Sequence, residues 1–143
     1  MIQVRAARAF DAQAMAVIVE RLTRPAVPVA PYLREWLRED DIWFVAEVGN
    51  EVSGFQWAGA AASRTGTCEI ATFVPVGRND LTIASALFDA TRLAARTRGF
   101  RWIEARLPAR NGGGQIYYRS RGFEARAGDG GTRTGRTILS YRL

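Results

Sequence analysis

The stretch from Cys68 to Gly99 constrains this chain most. It reads CEIATFVPVGRNDLTIASALFDATRLAARTRG: an apolar run, a polar turn, then an amphipathic helix. Ala84, Leu87, Phe88, Thr91, Ala94 and Ala95 form the stripe that a core-facing helix needs, and Gly99 marks its end. Directly after it, RWIEARL (101–107) alternates Ile103, Ala105 and Leu107 with Trp102, Glu104 and Arg106, the period of a strand. Two strands joined through a helix run parallel, by a right-handed crossover. The first backbone N–H groups of such a helix lack intrahelical partners and point past the strand end, where a phosphate or carboxylate can bind.

The remaining elements are placed around that junction. Residues 2–6 alternate as a short first strand, and Asp11 is positioned to cap a helix whose face is Met15, Ile18, Val19 and Leu22. RPAVPVAP (24–31) is an extended connection to a short helix carrying Leu33, Trp36 and Leu37. IWFVAEV (42–48) and EVSGFQWAGAA (51–61) flank Gly49-Asn50, a hairpin signal. A turn at Arg64-Thr65-Gly66 then leads into TCEIATFVPV, which completes a three-strand meander. Beyond residue 107, NGGGQIYYRSRG predicts a short helix ending at Gly122. Residues 123–126 and 136–143 predict a final hairpin around the glycine-rich GDGGTRTG.

Composition narrows the chemistry. A chain of 143 residues, 48% hydrophobic, suits a single domain over residues 1–143. It has no histidine and one cysteine, Cys68, so an internal disulfide, a zinc site and Ser-His-Asp chemistry are not expected, and Cys68 reads as a small buried filler. Proton transfer falls to Glu, Asp, Tyr or water. All 20 basic residues are arginine; residues 92–143 hold twelve of them against three acids, a net +9, while residues 1–91 carry −3. With no RNA-binding aromatic signature and no helix-turn-helix pattern, nucleic acid is not expected, and an anionic small ligand would use the same field. No apolar run reaches 18 residues and the N-terminus lacks a long apolar segment, so a cytoplasmic protein without membrane contact is expected. Pairing through the C-terminal edge would give a homodimer.

The order strand, helix, helix, three-strand meander, helix, strand, helix, two strands resembles the GCN5-related N-acetyltransferase (GNAT) superfamily over nearly the whole chain. Asn111, Gly114, Tyr117, Tyr118, Gly122 and Phe123 fall at the spacing of a motif common in that family, and Gly54 and Glu69-Ile70 also look like it. The resemblance implies an α/β fold of the α+β kind: a mixed, mostly antiparallel, twisted sheet of about seven strands with about four helices. It implies transfer of an acetyl or other acyl group from coenzyme A to a primary amine of a small molecule or peptide. By the same resemblance Glu69 is the base, acting through water, and Tyr118 protonates the departing sulfur; a strand carboxylate facing an arginine and a core tyrosine whose hydroxyl reaches the surface account for the same two residues. The pantetheine arm would lie between two separating strands and meet backbone at Val74. Asn111 would cap its helix and contact the cofactor.

The family's phosphate loop reads Arg/Gln-x-x-Gly-x-Gly/Ala, and this chain departs from it. In GRNDLTIAS one register gives Asn79, Asp80, Leu81, Thr82, Ile83 and Ala84; the other restores Arg78 but puts Leu81 and Ile83 where small residues belong. Asp80 is a helix-start carboxylate that competes for the N–H groups a pyrophosphate needs. The alternative function is therefore a GNAT-like module for ligand sensing or protein interaction, with weak or no coenzyme A binding. For an acceptor, Glu39, Asp40, Asp41 and Glu47 would attract an amine, and Trp36, Trp43, Phe55 and Trp57 would wall an apolar pocket; a solvated acidic turn and ordinary core packing account for the same residues.

Overall fold

The structure is a computed structural model that describes residues 1–62, 64–108, 110–125 and 136–143. In chain order the elements are β1 (Ile2–Ala6), a 3-10 turn (Ala9–Asp11), α1 (Ala12–Thr23), α2 (Ala30–Trp36), β2 (Ile42–Val48), β3 (Glu51–Ala60), β4 (Thr67–Phe73), α3 (Asp80–Thr97), β5 (Trp102–Pro108), α4 (Gly112–Ser120), β6 (Glu124–Ala125) and β7 (Arg136–Arg142). The strands form one seven-stranded sheet in the order β1-β2-β3-β4-β5-β7-β6. β4 and β5 run parallel, as a helical crossover requires. The pairs β1–β2, β2–β3, β5–β7 and β6–β7 are antiparallel. The expected mixed fold, with seven strands and four α-helices among the described residues, is what the chain adopts. The glycine-rich stretch expected between the last two strands lies outside the described residues.

The chain divides into two compact units, residues 1–58 with 71–94 and residues 59–70 with 95–143. In the first, Ala12, Met15, Ala16 and Ile18 of α1 pack with Ala30 and Leu33 of α2, Val45 of β2 and Phe55 of β3. Fully burying a side chain the size of Met15 or Phe55 contributes about 1.5–3 kcal/mol. Leu22, expected on the buried stripe, is instead 42% exposed, because the buried residues of α1, Ala12, Met15, Ala16 and Ile18, end before its last turn. A second cluster joins Ala46 to Ile83 and Leu87 of α3. Gly54 makes room for it: an added Cβ would lie 2.9 Å from Val74 Cγ2 and 3.1 Å from Ile83 Cγ2.

Asp11 does not cap α1 with its side chain as expected. Its carboxylate accepts two hydrogen bonds from the Arg5 guanidinium, at 2.8 Å each, and one from the Arg8 backbone N–H. Arg5 Nε also pairs with Glu47. Burial pushes the Asp11 carboxyl up, yet the hydrogen bonds from Arg5 and Arg8 and their charges outweigh it and hold the carboxyl below its ordinary value.

In the second unit β5 is the axis. Thr67–Ile70 of β4 pair with Trp102–Ala105 on one side, and β7 pairs along all of β5 on the other. Cys68 is fully buried, and burial pushes its thiol up to about 11, which fits an inert filler. Both α3 and α4 end on a glycine at positive φ, Gly99 and Gly122. In each, the glycine N–H reaches back three residues and the next residue's N–H reaches back five, the hydrogen-bond pair that closes a helix C-terminus.

Candidate functional site

The candidate residues fall into two groups. The first lies at the start of α3. The chain leaves β4 at Phe73, runs through Val74-Pro75-Val76-Gly77-Arg78-Asn79 and enters the helix at Asp80. The N–H of Ile83 donates to the Asn79 carbonyl at 2.9 Å, the first intrahelical bond, so Asn79 is the cap residue. The Asp80 carboxylate accepts from the Leu81 N–H at 2.7 Å. A side-chain anion thus already engages part of the helix start. Arg78, Asn79, Leu81 and Thr82 are exposed, whereas Ile83 and Ala84 turn their side chains into the core. A groove of about 300 Å³ adjoins this turn, and its charged lining is mixed: Arg21 and Arg78 against Glu51 and Asp80.

The second group lies on β4, β5 and α4. Glu69 and Glu104 are partners in the parallel register, so both project from the same face. One N–H serves both carboxylates: Arg106 Nε is 3.1 Å from Glu69 Oε1 and 2.9 Å from Glu104 Oε1. The arginine pairing that sequence allowed as a plain alternative for Glu69 is therefore formed. It also fixes where the Glu69 carboxylate stands. Glu104 is 2% exposed, and its Oε2 is buried without a hydrogen-bond partner. Strand alternation assigns faces but cannot say that both are covered. Ser140, the β7 residue opposite Glu104, has a buried hydroxyl that also lacks a partner.

The late motif builds α4. Asn111 caps it, its Oδ1 accepting from the Gly114 N–H at 2.9 Å. Position 114 has to be small, since an added Cβ would lie 2.7 Å from Asn111 Nδ2. At the other end the Phe123 N–H donates to the Tyr118 carbonyl and the Gly122 N–H to the Arg119 carbonyl. The rings of Tyr118 and Phe123 meet edge-on at 5.0 Å, the apolar contact that accompanies this cap. Tyr118 is 4% exposed, and Tyr117 packs against it with centroids 5.0 Å apart. Four of the six motif positions, Asn111, Gly114, Gly122 and Phe123, are thus accounted for by helix capping. The motif's spacing, read from sequence, is that of one short helix closed at both ends.

Sequence reading singled out Glu69 and Tyr118 but missed Glu104 and Arg106. The available signal was Glu-x-Arg on a strand predicted to run parallel to the one bearing Glu69. Two acids and an arginine gathered on adjacent strands can hold a water or an amine proton. Among the described residues, no group of histidine, cysteine and acidic side chains could hold a metal ion.

No family model matches the sequence, and no curated protein matches it. Solved structures match along the whole chain. A ribosomal-protein-alanine N-acetyltransferase from Brucella melitensis is 21% identical, with 99% of each chain covered and a TM-score of 0.81. An acetyltransferase of the GNAT family from Streptococcus pneumoniae is 13% identical, covering 100% of this chain and 99% of its own, with a TM-score of 0.80. The yncA protein of Salmonella typhimurium, solved with its cofactor acetyl-CoA, is 20% identical over 99% of this chain and 94% of its own, with a TM-score of 0.76. The chain therefore has the fold of the GNAT N-acetyltransferases.

Proposed function

We propose that residues 1–143 act as one acyltransferase domain that moves an acetyl or other acyl group from coenzyme A to a primary amine. The observation that carries this reading is the full-length match to acetyltransferase structures, one of them holding acetyl-CoA. Bound acyl-CoA would supply the activated thioester. Arg78 and the backbone of Asn79, Leu81, Thr82, Ile83 and Ala84 would hold its phosphates, with Val74 backbone and Asn111 along the rest. The fit at the helix start is partial: an exposed arginine and a helix N-terminus favour an anion, and Asp80 opposes it.

The reaction breaks the thioester C–S bond and forms an amide C–N bond. An ammonium has no lone pair for attack, so one proton must leave it first. Glu69, fixed by Arg106, would accept that proton through water. Tyr118 would give a proton to the departing sulfur, a task open to a phenol, and the second proton that the nitrogen sheds as the amide forms would restore the phenol. The chain would work in the cytoplasm on a small molecule or a peptide.

A second reading rests on one specific bond. Asp80 engages the Leu81 N–H, and on this reading the fold serves as a sensing or interaction module that binds coenzyme A weakly. Thermal unfolding separates the two. Acetyl-CoA at about a hundred times its dissociation constant stabilises by about 2.7 kcal/mol, which raises Tm by roughly 5–10 °C in a chain of this size. An unmoved Tm at millimolar acetyl-CoA, with a folded sample, would leave only the second reading.

A further inference from the structure

The first unit contains a cavity of about 330 Å³ walled by Trp36, Trp43, Trp57, Phe73 and Ala71, with Glu39 and Asp41 as the charged residues that line it among the described residues. Strand pairing explains the wall. Trp43 of β2 and Trp57 of β3 are direct partners, so their rings share a face, 6.3 Å apart. Phe55, two residues before Trp57 on β3 and so on the same face, lies 6.3 Å from Trp43 and stacks on Phe73 at 4.6 Å. Trp36, on the last turn of α2, is 46% exposed.

The charge at this cavity runs against the rest of the chain. The protein is net +6 and has 20 arginines, yet among the described residues no arginine lines the cavity. Asp41 is half-buried, and its Oδ2 accepts a hydrogen bond from Trp57 Nε1 at 2.9 Å, so the carboxylate is anchored by the wall itself. Glu39 is exposed beside it. Aromatic faces and a carboxylate both attract cations, and neither attracts an anion such as coenzyme A.

Size narrows the class further. A cavity of about 150 Å³ holds benzene. Twice that volume accommodates a two-ring body, which flat aromatic walls favour over a flexible chain. We propose that this cavity binds the acceptor, and that the acceptor is an ammonium-bearing molecule with a flat, apolar, roughly two-ring body. The ring system packs against the wall of Trp43, Trp57 and Phe73, and the ammonium donates to Asp41. The word acceptor rests on the acyl-transfer reading; the binding preference does not.

Isothermal titration of the full chain without coenzyme A tests the preference. Tryptamine carries both features, tryptophol replaces the ammonium with a hydroxyl, and n-hexylamine keeps the charge without the rings. Tryptamine is expected to bind about tenfold more tightly than either. Asp41→Asn keeps an oxygen for the Trp57 N–H, and it should bring tryptamine down to the tryptophol value while leaving tryptophol unchanged. Glu39→Gln, at an exposed position, should weaken tryptamine about twofold. Equal affinities for the three probes, or an Asp41→Asn variant that binds tryptamine as before, would overturn the assignment.

Release of the coenzyme A thiol then separates the two layers. If tryptamine binds as expected but acetyl-CoA yields no thiol, the cavity assignment stands and acyl transfer fails. If other amines release thiol while tryptamine does not bind, acyl transfer stands and the cavity assignment fails.

Discussion

Asp80 and Asp11 are both carboxylates near a helix start, yet their surroundings give them opposite consequences. Asp80 accepts from Leu81 N–H beside the turn where phosphate would bind. Two unit charges about 5 Å apart repel by roughly 1 kcal/mol in water and roughly 3 at an effective dielectric near 20. Helix-dipole attraction for an exposed anion is only about 0.3–1 kcal/mol. Repulsion therefore dominates, and Asp80→Asn should tighten coenzyme A binding about five- to tenfold in a titration at low salt; unchanged or weaker binding would show that the carboxylate is harmless or supportive. Asp11 instead holds Arg5. Its folded pKa is depressed, so its stabilisation is present above the unfolded pKa and is lost as pH falls through the lower folded value. At pH 7 Asp11→Asn should cost about 2 kcal/mol, or roughly 4–8 °C in Tm. Thermal scans should show that gap closing as pH drops below about 4, and a gap independent of pH would mean that packing, not the ion pair, carries the effect.

α4 shows how a short element divides between architecture and chemistry. Nine residues are marginal as an isolated helix, and here both ends are closed by specific caps. Asn111→Ala removes one cap and should cost about 1 kcal/mol, lowering Tm by roughly 2–4 °C. The ring of Tyr118 meets Phe123 in a way that phenylalanine would reproduce. Tyr118→Phe keeps that ring contact and should lower turnover about a hundredfold, the scale of a lost general acid. Intact turnover would place the acid elsewhere. These elements were readable because their signals are local: glycine at a C-terminus, asparagine at an N-terminus, period 3.6 against period 2. Leu22 went the other way and the burial of Glu104 was not legible, because burial is decided by what packs on a residue, which local periodicity does not contain. The Arg106 bridge between Glu69 and Glu104 was hidden for a related reason, since it depends on the register of two strands separated by a helix.

At the scale of the whole chain the sequence made the architecture legible and left the ligand chemistry divided. Element order and the spacing of the Asn111–Phe123 motif were enough for the fold, while identity to the solved structures stays near one residue in five or lower. Charge is the property that operates at this scale. Residues 92–143 carry a net +9 and residues 1–91 a net −3, so an anionic donor and a cationic acceptor would be drawn to different parts of one chain. Such attraction acts over about 10 Å at 0.1 M salt and shrinks to about 3 Å at 1 M. Coenzyme A affinity should therefore fall about tenfold as NaCl rises from about 50 to 500 mM, while pantetheine, which lacks the phosphates, should change less than twofold. An affinity for coenzyme A that ignores salt would mean that the basic C-terminal part takes no share in holding the donor, and that local hydrogen bonds at the start of α3 would have to overcome Asp80 unaided.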